Sequence, residues 1–290
     1  MDPGHRSVLL KEALDALALR PGGTYVDATF GAGGHSRAIL ERLGPSGKLA
    51  AFDVDPSVHA RAGVPCDPRF ILIRGNFRHL DAALEFRKLA PVDGVLFDLG
   101  VSSMQLDSAE RGFSFAADAP LDMRMDASQG LSAADYIART PERELADAIF
   151  EFGEERAARK IARAIKQHHP RTTGELARIV SATVHVPGKR ERTHPATRTF
   201  QALRIAVNDE LDALRDGLDA ATRVLRPGGR LVAISFHSLE DRIVKNTMRT
   251  DPRLRPLLKK PLVAGARELR DNPRSRSAKL RVAERTEEQA

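Results

Sequence analysis

The chain has 290 residues, a formal net charge of +7 and a single cysteine, Cys66. That length can bury a substantial core, as one large domain plus a smaller one. One cysteine excludes a disulfide framework and a cysteine-ligated zinc site and fits a reducing compartment. No apolar run is long enough to span a bilayer and the Met-Asp-Pro-Gly start does not read as a signal peptide, so a cytoplasmic location away from membranes is expected.

In chain order, residues 7–19 read as a helix and residues 24–29 as a buried strand. The strand carries Asp27 and runs into Phe30-Gly31-Ala32-Gly33-Gly34-His35-Ser36, ahead of a helix over 36–43. Strand, glycine turn, helix is how α/β folds hold nucleotide-like cofactors, because glycine lets the backbone turn tightly and the helix start offers free N–H groups. A second strand over 49–54 contains Asp53, about twenty residues on, placed to accept hydrogen bonds from ribose hydroxyls. Ser36 stands where a dinucleotide fingerprint has its third glycine. The acid on the first strand suits S-adenosylmethionine better than NAD.

Phe70–Arg74 is a third strand, followed by Gly75-Asn76-Phe77, an amide and an aromatic able to read and pack an adenine. A fourth covers 94–99, followed by Gly100-Val101-Ser102-Ser103-Met104-Gln105. Asp98 at its end is the candidate acceptor near the transferred group, with Ser102, Ser103 and Gln105 as further hydrogen-bonding groups. No G-x-S-x-G elbow occurs, so a serine nucleophile is not expected. The next convincing strand, 230–236, follows Arg226-Pro227-Gly228-Gly229. More than 120 residues separate it from the fourth strand, too many for a structureless loop.

That interval reads as helical. Ser132 caps a helix through Arg139, Thr140-Pro141 opens another that stops at Gly153, residues 154–168 continue, and Thr172-x-x-Glu175 is a capping box. The expected organisation is a cofactor-binding domain over 1–105 and 201–290, with an inserted helical domain over 106–200. From Pro195 to Leu225 a single apolar stripe recurs at spacings of three and four, alongside a polar row of Thr197, Gln201, Arg204 and Asn208 that is expected to face substrate. Ser238-x-x-Asp241 reads as a capping box for a further helix. Residues 262–265 and 279–283 read as a final antiparallel pair, giving a mostly parallel, Rossmann-like sheet of seven strands. The histidines lack metal-ligand spacing: His168 and His169 are adjacent, and His185, His194 and His237 have no carboxylate at H-E-x-x-H distance. Residues 242–285 hold 14 Lys/Arg against 4 Asp/Glu, so the basic excess is local. Such a surface suits a polyanion, and equally a solubilising face.

Five blocks together resemble the bacterial small-subunit rRNA cytosine-N4 methyltransferases. They are Asp27 to Arg37; DLGVSSMQLDSAERGFSFAADAPLDMRMD over 98–126; His194 to Arg204; Ser235 to Arg242; and Asn272 to Lys279. The one departure noted is Met104, where the family has proline. The resemblance implies a class I S-adenosylmethionine methyltransferase fold with an inserted helical substrate-recognition domain. The reaction implied is methylation of N4 of a cytidine in the decoding region of 16S rRNA, with the small ribosomal subunit as partner and a homodimer as a possible assembly. It also implies that Gly33, Gly34 and His35 hold the cofactor, Asp53 takes the ribose, Phe77 flanks the adenine, and Asp98 and Gln105 lie near the methionine end. Arg198, Gln201 and Arg204, with Arg274 and Arg276 of the basic tail, would contact RNA. No metal is expected. The residues leave open a Rossmann oxidoreductase, a non-catalytic RNA-binding protein with a vestigial cofactor site, and a DNA amino-methyltransferase, although the usual [DN]-P-P-[YF] loop is absent.

Overall fold

A computed structural model of the chain describes residues 6–59, 64–184 and 194–287; His185 lies outside them. The chain divides into two compact units, 1–100 with 211–290 and 101–210. Among the described residues, no helix is long and apolar enough to cross a membrane.

The first unit is built on seven strands: β1 (Thr24–Asp27), β2 (Lys48–Asp53), β3 (Phe70–Arg74), β4 (Val92–Asp98), β5 (Leu225–Ser235), β6 (Leu254–Pro256) and β7 (Lys279–Arg285). Their order is β3-β2-β1-β4-β5-β7-β6. The first five are parallel, and β7 runs antiparallel to β5 on one side and to β6 on the other. This is the mostly parallel, Rossmann-like sheet of seven strands expected from the sequence. The inner strands are apolar on both faces, as Val95, Leu96 and Phe97 of β4 illustrate, which a parallel sheet covered on both sides requires. Helix Glu210–Val224 adds Leu214, Leu218 and Ala221 to the same core.

Several sequence expectations shift here. Helix 7–19 contracts to Leu10–Leu17, because Leu9 and Ala18 both adopt left-handed backbone conformations. Strand five begins at Leu225 rather than 230. The Arg226–Gly229 turn is absorbed as an irregularity opposite Val92 and Gly94, with Gly228 at φ 77°. The edge strand is Leu254–Pro256, not 262–265; Leu262 makes only an isolated bridge to Leu280. A proline in a short strand is tolerated at an edge, where its missing donor faces outward.

The second unit is helical. Its principal helices are Ala133–Arg139, Glu142–Gly153, Ala158–His168, Thr173–Val184 and Thr197–Asn208, enclosing Leu121, Met123, Ile149, Ile161, Leu176 and Phe200. It begins and ends outside the 106–200 read from sequence. The Ser102 hydroxyl accepts from the Gln105 N–H, and the Gln105 side chain accepts from the Ser102 N–H, so a capped helix already starts at Ser103. At the other end Thr197–Asn208 packs on Glu142–Gly153. The caps at Ser132 and Thr172/Glu175 form as expected. Lys166 closes Ala133–Arg139 by donating to the carbonyls of Ile137, Ala138 and Thr140, a cation placed at a helix C-terminus. The single long helix expected from Pro195 to Leu225 is two, broken at Asp209, whose φ is 50°.

Candidate active site

β1, β2 and β4 each end in an aspartate: Asp27, Asp53 and Asp98. The strand order reverses between β1 and β4, and in open α/β sheets ligands bind beyond the strand ends at such a switch point. After Asp27 the chain stays in line with the sheet. Ala28 donates to the Leu96 carbonyl and Phe30 to the Phe52 carbonyl, each at 2.8 Å. It then turns through Gly31 (φ 52°) and Gly33 (φ 73°) into helix Gly34–Arg42. A side chain at Gly33 would be strained by that φ and would also place its Cβ 2.6 Å from the Phe30 ring.

The turn is tied to β2 through Asp53. One carboxylate oxygen accepts from the Gly31 N–H and the other from the Asp55 N–H, both at 2.9 Å. Burial pushes the Asp53 pKa up to about 6, against the pull of these two donors. Asp27 is fully buried; it accepts from the Ser36 hydroxyl at 2.6 Å and from the Thr29 N–H at 3.1 Å. Burial raises its pKa too, opposed by the charge of His35 and the Ser36 hydrogen bond.

His35 lies between the segment before the first helix and the end of β4. Its Nε2 is 3.2 Å from the Val8 carbonyl oxygen and its Nδ1 is 3.3 Å from Asp98 Oδ2. Burial opposes its protonation, but the hydrogen bond and charge of Asp98, with the charge of Asp27, raise its pKa overall. Asp98 is further fixed by its own N–H, which donates to the Thr29 hydroxyl at 2.7 Å. Its second oxygen, Oδ1, is buried without a hydrogen-bond partner. That arrangement gives an acceptor held in place with capacity to spare.

The remaining sequence candidates have the following surroundings, each within its own unit. Phe77 packs edge-on to Phe97, ring centroids 5.4 Å apart, and against Gly217. Asn76 caps the short turn Phe77–His79 by accepting from the Arg78 N–H. Gln105 belongs to the helical unit and its capping box. In that unit the polar row is turned inward. Gln201 donates to the Phe152 carbonyl, and Arg204 makes a two-pronged pair with Glu210 at 2.7 and 2.8 Å. Asn208 donates to the Met123 and Arg204 carbonyls while accepting from the Met125 N–H. Arg198 is more exposed, donating to the Glu154 carbonyl and lying 3.9 Å from Glu155. In the first unit Arg274 and Arg276 sit exposed on the turn Pro273–Ser277.

A family model described as the MraW methylase family matches residues 2–286. The chain belongs to this family. It is therefore an enzyme, a methyltransferase. Proteins called ribosomal RNA small subunit methyltransferase H are similar over nearly their whole length. That of Methylococcus capsulatus is 52% identical over 96% of this chain and 99% of its own. That of Chromobacterium violaceum is 51% identical over 97% and 95%, and that of Symbiobacterium thermophilum 48% identical over 96% and 95%.

Within this MraW-family methylase, Gly33, Gly34, His35, Asp53 and Asp98 converge at the carboxyl ends of β1, β2 and β4. The row Gln201–Arg204–Asn208 is a correction. Amides and an arginine were read as facing substrate, whereas here they satisfy backbone groups and a carboxylate of their own unit. The capping box read at Ser238-x-x-Asp241 is a second correction. His237, not Ser238, caps helix Ser238–Thr250: its ring accepts from the Glu240 N–H, and Glu240 accepts from the N–H groups of Phe236 and His237. Lys279 pairs with Asp241 together with Arg281. Sequence reasoning missed the Ser36–Asp27 hydrogen bond. Serine in place of the third glycine, nine residues after a strand-ending aspartate, was the available signal.

Proposed function

We propose that this methyltransferase uses S-adenosylmethionine to methylate N4 of a cytidine in the decoding region of 16S rRNA. The observation that carries the reading is Asp98: a strand-end carboxylate at the switch point, one oxygen against His35 and the other buried without a partner. The glycine turn and Asp53 suit the cofactor. Gly31 and Gly33 leave the loop backbone bare, and each oxygen of Asp53 retains accepting capacity beyond its single N–H donor, enough for ribose hydroxyls. When bound, the cofactor's sulfonium supplies an electrophilic methyl carbon.

The chain's own residues then have two tasks. Cytosine N4 is a weak nucleophile because its lone pair is delocalised into the ring. An acceptor on its N–H groups helps the nitrogen pyramidalise and offsets the positive charge developing there. Asp98 Oδ1 is that acceptor in this reading. The second task is alignment, since holding donor and acceptor in line supplies much of the acceleration. The target base reaches the cleft unpaired or flipped from its stack. Arg198 from the helical unit, with Arg274 and Arg276, is assigned to the RNA backbone, while Gln201 and Arg204 hold the helix that carries Arg198. Phe77 is proposed to flank the adenine, and Gln105 to serve the methionine end.

Replacing Asp98 with Ala is expected to lower turnover at least about 100-fold, the usual scale for losing a transition-state hydrogen-bonding group. Single-turnover methyl transfer and calorimetric cofactor binding, run side by side, test this. Turnover within tenfold of wild type at unchanged cofactor affinity would remove Asp98 from the reaction.

A further inference from the structure

We propose that His35 is an imidazolium at neutral pH and acts as the positioning residue that holds the Asp98 carboxyl, with Oδ2 engaged and Oδ1 left for the acceptor amine. The inference rests on the function proposed above and concerns a group that makes no contact with reacting atoms.

The geometry sets the protonation. Nε2 of His35 is 3.2 Å from the Val8 carbonyl oxygen, and a carbonyl can only accept, so Nε2 carries hydrogen. Nδ1 is 3.3 Å from Asp98 Oδ2. If the ring is neutral, the one proton on this contact has to sit on Asp98. The surroundings argue against that. Burial opposes charge on the ring, but the hydrogen bond and charge of Asp98, with the charge of Asp27, raise the His35 pKa overall. Asp27, fully buried at the end of β1, adds a second acidic group beside the ring.

Two influences oppose the cation. His35 is buried, and it sits in the first turn of helix Gly34–Arg42, where the helix dipole disfavours positive charge. No other basic side chain is needed to balance the site. Arg37 on the same helix is exposed and donates to the Ala32 carbonyl. Asp53 on β2 is turned to Gly31 and Asp55. Glu268 accepts from the Leu9 N–H, and Arg6 pairs with Asp271. The groups facing the ring are therefore two carboxyls and a carbonyl, all acceptors, against burial and one helix end. A doubly protonated ring donates to both Val8 and Asp98, which neither neutral tautomer does.

A consequence follows for the reaction. Loss of the His35 proton at alkaline pH releases Oδ2, and the carboxylate is then free to rotate away from the position that presents Oδ1. The rate of the chemical step should fall on an alkaline limb belonging to His35, with little change in cofactor affinity.

Nitrogen-15 spectra of the histidine side chains in the full-length protein test the charge directly, the His35 signals being assigned by their loss in His35→Gln. Both ring nitrogens are expected to be protonated at pH 7, and in Asp98→Asn more than half of that protonation is expected to be gone at the same pH. A neutral tautomer at pH 7 in the wild type overturns the proposal. Should Asp98→Asn fail to fold, single-turnover pH profiles decide: the alkaline limb is expected in wild type and absent in His35→Gln, and the same limb in both proteins overturns it. The spectra do not depend on RNA methylation. An imidazolium in a protein that transfers no methyl group to rRNA would therefore sink the function and leave the His35 assignment standing. A neutral His35 in an active enzyme would do the reverse.

Discussion

Asp27, Asp53 and Asp98 end neighbouring strands, and their surroundings give each a different task. Asp27 is spent on Ser36 and Thr29 and builds the turn. Asp98 keeps an oxygen in reserve. Asp53 holds the loop while its ionisation is opposed by burial, its pKa standing at about 6. An aspartate unfolds with a pKa of about 3.9, so the native state binds protons more tightly at this site. The fold therefore loses stability as pH rises from about 4 through about 6, and above that range the ionised Asp53 is a net burden. Asp53→Asn should stabilise the protein at pH 7 by up to about 3 kcal/mol, less whatever the lost N–H contacts contribute, and by much less at pH 4. Urea denaturation at the two pH values measures this. The same substitution should weaken cofactor binding, since a carboxylate accepts from ribose hydroxyls more strongly than an amide. A variant destabilised equally at both pH values would contradict the burial argument. All three acids and the two turn glycines were legible in the sequence, because each marks an abrupt end to an apolar run. The pairing of His35 with Asp98 was not. It joins residues 63 positions apart, and no local pattern encodes a contact between a helix start and a strand end.

At the scale of elements, the parallel strands could be read because each is a short apolar run bounded by turn residues. The edge was misplaced because Leu254-Arg255-Pro256 carries no alternation, only position. The helix over 195–225 reads as continuous because its apolar stripe runs on across Asp209, and nothing in the stripe reports a left-handed residue. The polar row was misread for a related reason: residue type does not reveal which face a neighbouring segment will cover. Arg204 and Glu210 are only 16% and 10% exposed, so removing one partner strands a charge that is largely cut off from water. Arg204→Ala should destabilise the helical unit by about 3 kcal/mol, visible as a lowered urea midpoint for that unit. A loss of RNA affinity at unchanged stability would restore the substrate-facing reading. Gly33→Ala should weaken cofactor binding and destabilise the turn by about 1–3 kcal/mol, because the left-handed backbone and the Phe30 ring both resist a Cβ.

For the whole molecule, several of the C-terminal cations are paired within the protein. Asp241 engages Lys279 and Arg281, Asp251 and Asp219 engage Arg253, and Glu284 engages Arg255 and Arg230. The cationic surface is accordingly narrower than the sequence count suggested, and Arg276 is an exposed member of it with no acidic partner among the described residues. Reversing Arg274 and Arg276 to Glu should weaken RNA binding and reduce the slope of log affinity against log salt by about 2. An unchanged slope would take this turn out of the interface.

That this methyltransferase acts on small-subunit rRNA through S-adenosylmethionine is the function proposed. Its most direct test is transfer of a labelled methyl group to unmodified 16S rRNA, to assembled small subunits and to DNA, followed by digestion to nucleosides. Label in N4-methylcytidine from the ribosomal substrate, and none in DNA, is the expected result. Label in DNA or in another nucleoside, or no label at all from a protein that binds the cofactor, would contradict it.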